Sequence, residues 1–203
     1  MQILCVSDKV APELYPQIDP QRFGKVDLLV SCGDLPPEYL IHLADAFEAP
    51  LYYVCGNHDI RYANRPPRGC KNIHGRIVRR GPLKILGLEG SRWYNGGPHQ
   101  YTEGQMRHLV WRLRPKIWWA GGVDLIVTHA PPRYLNDAED LCHRGFKTFR
   151  RLIDWYAPRY FVHGHIHAYF AESAERFAQT GSTQVINCFG YYRLEIDDAQ
   201  PLK

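Results

Sequence analysis

The sequence has no apolar run long enough to cross a membrane. A basic start is absent before the first apolar stretch, and Asp8 interrupts that stretch early, so no signal peptide is expected. None of the six cysteines (Cys5, Cys32, Cys55, Cys70, Cys142, Cys188) forms a CxxC pair. That excludes zinc on paired cysteines and a disulfide framework, and it predicts buried free thiols in a reducing cytoplasm. Repeats, low-complexity tracts and linker-like segments are missing too, so one domain over 1–203 is expected. No strong charge imbalance exists: the net charge of +4 tolerates an anionic ligand without requiring one.

What is present is a series of short runs rich in Val, Ile, Leu and Tyr. They predict buried strands over 2–7, 27–32, 51–55, 83–88, 124–128, 160–163, 184–188 and 191–196. Helical spacing appears between them. Over 36–48, prolines lead into Leu40, Leu43, Ala44 and Phe47. A second stretch, 102–113, opens on Thr102 and Glu103 and should end or kink at Pro115. The third, 145–156, carries Phe146, Phe149, Leu152, Ile153 and Tyr156 on one face. Strands alternating with helices mean an α/β architecture. The last two strands, separated by Phe189 and Gly190, read as a hairpin or short meander.

Ligand-type residues follow five of these strands. Asp8 comes after the first and Gly33-Asp34 after the second; Gly56-Asn57-His58-Asp59 follows the third. His129 lies in THAPP, and His165 and His167 lie in GHIH. In α/β sheets ligands bind outside the carboxyl ends of strands, and glycine lets the chain turn sharply there. A lone Asp after a strand is ordinarily a turn residue, and GNHD by itself is an Asx-type turn. Their ordered recurrence makes coincidence a poor account. Carboxylate, amide and imidazole donors suit Mn, Fe, Zn, Ni or Co. There are enough of them for two divalent ions, with Asp34 the natural bridging carboxylate.

The ordered set resembles the calcineurin-like metallophosphoesterase family, whose pattern is Asp-x-His, Gly-Asp, Gly-Asn-His-Asp/Glu, His and Gly-His-x-His. The resemblance runs from Asp8 to His167. It implies a four-layer α/β/β/α sandwich, two mixed sheets face to face with helices outside. It also implies a metal-dependent hydrolase using a metal-bound hydroxide. Asp34 then resembles the bridging ligand, Asn57, His129 and His165 the other ligands of the second metal, and Asp8 and His167 ligands of the first. His58 resembles the non-ligand histidine that contacts phosphate or protonates the leaving oxygen. Asp59 either orients His58 or caps a turn.

Two positions depart from the family pattern. Val10 stands where the opening motif has histidine, which leaves the first metal only Asp8, Asp34 and His167 and predicts weaker or partial occupancy. Pro37, in GDLPPEY, falls where phosphoprotein phosphatases carry a carboxylate, which points to the small phosphodiesterase-like branch and a small phosphoester substrate. The alternative is a metal-poor scaffold or binding module. Arg92, Asn95 and His143 are candidate substrate contacts, since loops at strand ends carry specificity. Lys9, beside Asp8, is a further source of positive charge. Arg107, Arg112, Arg114 and Lys116, interleaved with Trp111, Trp118 and Trp119, pose a choice. They form either a nucleic-acid face or, as preferred here, tryptophans packed on the sheet beneath solvated cations.

Overall fold

A computed structural model describes residues 1–168, 170 and 173–196. In chain order the strands are β1 (Gln2–Ser7), β2 (Leu28–Ser31), β3 (Leu51–Tyr53), β4 (Lys71–Asn72), β5 (Arg76–Arg80), β6 (Leu83–Leu88), β7 (Ser91–Arg92), β8 (Gln100–Tyr101), β9 (Leu125–Thr128), β10 (Tyr160–His163), β11 (Phe177–Thr180), β12 (Thr183–Asn187) and β13 (Gly190–Glu195). The helices are α1 (Pro20–Phe23), α2 (Pro37–Phe47), α3 (Glu103–Trp119) and α4 (Lys147–Tyr156).

Two mixed sheets result, in the orders β13-β1-β2-β3-β4 and β11-β12-β10-β9-β6-β5. Strand alternation sends successive side chains to opposite faces. Ile3, Cys5, Leu28 and Val30 therefore face the second sheet, where they meet Ile85, Val127, Val162 and Ile186. Leu4, Val6, Leu29 and Leu51 face outward and are covered by Tyr39, Leu40 and Leu43 of α2. Leu86, Ile126 and Phe161 on the far side are covered by α3 and α4 through Met106, Val110, Phe149 and Leu152. The strands are apolar on both faces because both faces are buried, which gives the four-layer sandwich. The cysteines are free thiols, with Cys5, Cys32, Cys55 and Cys188 buried.

Three features differ from the sequence reading. First, α3 passes through Pro115 and ends at Trp119. Met106, Val110, Leu113 and Ile117 form one continuous buried stripe. Proline leaves only the carbonyl four residues earlier without its helical donor, and that residue, Trp111, lies on the exposed side. Packing of the stripe outweighs the lost bond. Second, β12 and β13 are not a hairpin. β12 pairs antiparallel with the preceding β11 and parallel with β10, while β13 crosses to the other sheet and pairs antiparallel with β1. Third, the tryptophans of α3 do not pack on the sheet: Trp111, Trp118 and Trp119 are 64%, 80% and 86% exposed. Each lies one or two positions beyond a residue of the buried stripe, and a turn of about 100° per residue carries it away from the core.

Candidate metal centre

Parallel pairing of β1, β2 and β3, and of β9 and β10, aligns their carboxyl ends. The residues that follow them turn back toward one another. Asp8, Asp34 and His165 all adopt left-handed backbone, with φ of 62°, 57° and 66°. Such conformations are uncommon outside glycine and concentrate at functional sites.

Glycines allow the close approach. A Cβ on Gly56 would overlap the Asp34 carboxylate and come within 2.7 Å of the His129 ring. One on Gly164 would overlap Ser7 Oγ and Asp8 Oδ2.

The Asp8 side chain is wholly buried. Its Oδ2 accepts from the His165 backbone N–H at 2.9 Å, and Oδ1 lies 3.3 Å from His167 Nε2. Burial alone would raise this carboxyl, but the His167 hydrogen bond and the His129 charge hold it below its ordinary value.

Asp34 accepts the His58 backbone N–H on Oδ1 at 2.7 Å, and its Oδ2 stands 3.3 Å from His129 Nε2. Burial is again outweighed by His129, and the carboxyl is lowered to about 2. Burial opposes protonation of His129, but Asp34 and Asp8 beside it raise its value to about 9. His165 is pushed down to about 3 by burial and then by the His129 charge.

Backbone carbonyls orient both buried imidazoles. His129 Nδ1 donates to the Cys32 carbonyl at 2.8 Å, which turns Nε2 toward Asp34 and toward Asn57 Oδ1 at 3.1 Å. His165 Nε2 donates to the Cys142 carbonyl at 2.8 Å, leaving Nδ1 for the site. Hydrogen-bonding one ring nitrogen in this way commits the other to ligation. Asn57 is set similarly: its Nδ2 donates to Tyr94 Oη at 3.1 Å, so its oxygen faces inward. Ligating atoms of Asp34, His129 and His165 lie within 4.8 Å of one another. Converging oxygen and nitrogen lone pairs repel unless a proton or a cation sits among them, and this donor set fits divalent transition ions.

Asp59 is now assigned. Its carboxylate accepts backbone N–H groups of Asp34, Leu35 and Gly56 at 2.8, 3.2 and 2.7 Å. It caps two turns and thereby joins the Asp34 and Asn57 loops. Burial, with the Asp34 charge, raises this carboxyl to about 6. His58 is exposed at the mouth of the site. Val10 is half-buried and packs with the cluster under α2. Lys9 is exposed.

His143 lies in the loop before α4, its Nδ1 3.0 Å from an Asp140 carboxylate oxygen. Its ring centre is 5.2 Å from that of His165 and 6.5 Å from that of His167, so it stands over the centre. Arg92 faces elsewhere, 3.2 Å from Glu103. Glu103 also accepts the backbone N–H groups of Lys147 and Thr148, which ties the starts of α3 and α4 together. Asn95 shapes its own loop, accepting from Gly97 N–H and Gln100 Nε2.

Tyr94 and the Cys142 carbonyl escaped the sequence reading. The aromatic, glycine-rich loop was a visible signal for the first; a backbone carbonyl leaves none. A second group of ligand-type side chains, Cys55, Glu89 and His99, also comes within 4.8 Å. Here Tyr101 Oη donates to Glu89 at 2.6 Å and His99 Nδ1 lies 3.1 Å away. This is a network anchoring the loop between β6 and α3.

The sequence profile of the family described as calcineurin-like phosphoesterase matches residues 7–169. The chain belongs to that family. This calcineurin-like phosphoesterase shares its fold with the TT1561 protein of Thermus thermophilus, at TM-score 0.63 and 17% identity over 93% of this chain and 89% of that one. It is also similar to a dimetal phosphatase from Danio rerio, at TM-score 0.60 and 13% identity, covering 93% of this chain and 87% of that one. No curated protein matches the sequence.

Proposed function

We propose that this family member is a metal-dependent phosphoesterase that hydrolyses a small phosphodiester at a two-cation centre, within one domain spanning 1–203 and in the cytoplasm. One observation carries the reading. Donor groups from five strand ends turn toward one another, and carbonyls and backbone amides hold them in that orientation.

Asp34, Asn57, His129 and His165 would hold one ion, and Asp8, Asp34 and His167 the other; Mn, Fe, Zn, Ni and Co all suit these donors. Position 10 leaves the second group one ligand short. Bound cations would neutralise phosphate charge and lower the pKa of water toward neutrality. His58, at the mouth, protonates the leaving oxygen. His143, fixed through Nδ1 by Asp140, directs its other nitrogen to a phosphate oxygen. Arg92 and Asn95 act on the substrate only through the loop they hold. Pro37 supports the diester branch over phosphoprotein substrates.

The test is hydrolysis of an aryl phosphodiester by the purified chain with added Mn, Ni or Co. His58→Ala should lower kcat by roughly 10²–10⁴-fold while metal content is retained. Turnover no higher than that of the variant would overturn the proposal. Val10 favours a second reading, a metal-poor binding module. Two tightly held ions per chain in elemental analysis would dispose of it.

A further inference from the structure

The C-terminal half of α3 carries the two most exposed large hydrophobic side chains among the described residues. Trp118 and Trp119 project from its last turn, 80% and 86% exposed, and Trp111, two turns earlier on the same face as Trp118, is 64% exposed. Exposed aromatic clusters of this kind mark interaction surfaces.

The two segments that form this face, α3 after Glu103 and the stretch through β5, carry charge of one sign. No Asp or Glu occurs between 104 and 123, while Arg107, Arg112, Arg114 and Lys116 lie in that segment. The neighbouring edge strand β5 adds Arg76, Arg79 and Arg80, and the chain has no acidic residue between 60 and 88. Open grooves flank the helix: one, against β5, is lined by Lys71, Arg76, Arg79, Lys116 and Trp119, and the other by Trp111, Arg114 and Trp118. Arg114 also lies over the ring of Trp155, which is itself half exposed.

We infer that this face docks on an anionic phospholipid surface. Tryptophan favours the headgroup level of a bilayer, and clustered Lys and Arg are drawn to anionic lipids. The composition separates this partner from its rivals. Residues 109–122 are LVWRLRPKIWWAGG: the cations suit any phosphate, but the paired tryptophans stand on the last turn of the helix, where they would reach a headgroup layer first. Pairing with a second copy through the same face would oppose two cationic surfaces.

The geometry also orients the docked protein. The start of α3 joins the loops around the metal centre through Arg92 and Glu103. A 17-residue helix carries its tip about 25 Å from there. The site then opens away from the bilayer, toward a water-soluble substrate.

The experiment is flotation of the full chain with vesicles of phosphatidylcholine containing roughly a third phosphatidylglycerol, with tryptophan emission followed in parallel. Binding with a blue shift is expected on these vesicles and not on phosphatidylcholine alone. The double substitution Trp118→Ser, Trp119→Ser should reduce binding by about tenfold or more, and Arg112→Glu with Lys116→Glu should do the same. Hydrolysis of a soluble aryl diester should be unchanged in both. Failure to float with anionic vesicles would overturn the inference. So would capture of a labelled oligothymidylate, or dimerisation by light scattering, that depends on these residues in a chain that ignores vesicles.

Discussion

The carboxylate of Asp8 accepts the backbone N–H of His165 at 2.9 Å, across 157 positions of sequence. The contact joins the carboxyl end of β1, in one sheet, to that of β10, in the other, and it sets both a carboxylate and an imidazole at the centre. Gly164, immediately before His165, makes it sterically feasible.

Gly164→Ala should therefore disable the site. The new Cβ overlaps Ser7 Oγ and Asp8 Oδ2, so the Asp8 carboxylate must move. A displaced ligand costs on the order of 10–100-fold in metal affinity or activity. Gly104→Ala is the control: its Cβ meets nothing nearer than 3.9 Å within α3, and it should leave activity intact and raise stability by about 0.5–1 kcal/mol. Calorimetric metal titration and denaturant melts read both.

Val10→His should tighten the weaker of two metal sites. The wild-type chain is expected to bind in two steps, with activity still rising after the first ion is bound. In the variant the steps should draw together. A second step of unchanged affinity would show that position 10 does not face the centre.

Protonation of His129 links pH to both folding and metal binding. In the metal-free chain its value stands at about 9 in the folded state against 6.5 for the free imidazole. Its favourable contact with Asp34 is fully present below about 6.5 and is lost as pH rises toward 9. Asp34, lowered to about 2, contributes above its ordinary range near 3.8 and is lost as pH falls toward 2. The contributions of these two groups overlap in full between about 3.8 and 6.5. Ligation requires His129 to release its proton. Metal affinity should then climb between pH 6.5 and about 9, with proton release visible as a buffer-dependent binding enthalpy. His129→Asn should flatten that rise.

Tyr94→Phe isolates the support of one ligand. It removes the Oη that accepts from Asn57 Nδ2 and frees the amide to rotate. Metal affinity should fall by about tenfold or more, with thermal stability nearly unchanged because the ring remains. Competition with a chromogenic chelator measures the change.

The residues of the centre were legible because chemistry and spacing coincide. Each of five buried β-like runs ends in Asp, Asn or His, several of them beside a glycine that lets the chain turn. The strands were legible for a related reason: both faces of β1, β2, β9 and β10 are covered, so each reads as an unbroken apolar run. Short edge strands such as β4 and the charged β5 carry no such pattern, since one side of each meets water, and both went unseen.

Taken alone, the sequence determined the α/β alternation, the helices that cover the sheets and the ordered ligand-type residues, because those depend on local periodicity and residue type. Tertiary structure decided which sheet each terminal strand joins, and sent β13 across to β1 when β11 had already occupied the edge of β12. It also turned Asp59 onto three backbone amides, aimed His129 and His165 through distant carbonyls, and kept α3 helical past Pro115. With its buried stripe fixed by Val110, Leu113 and Ile117, the turn of that helix left Trp111, Trp118 and Trp119 facing water.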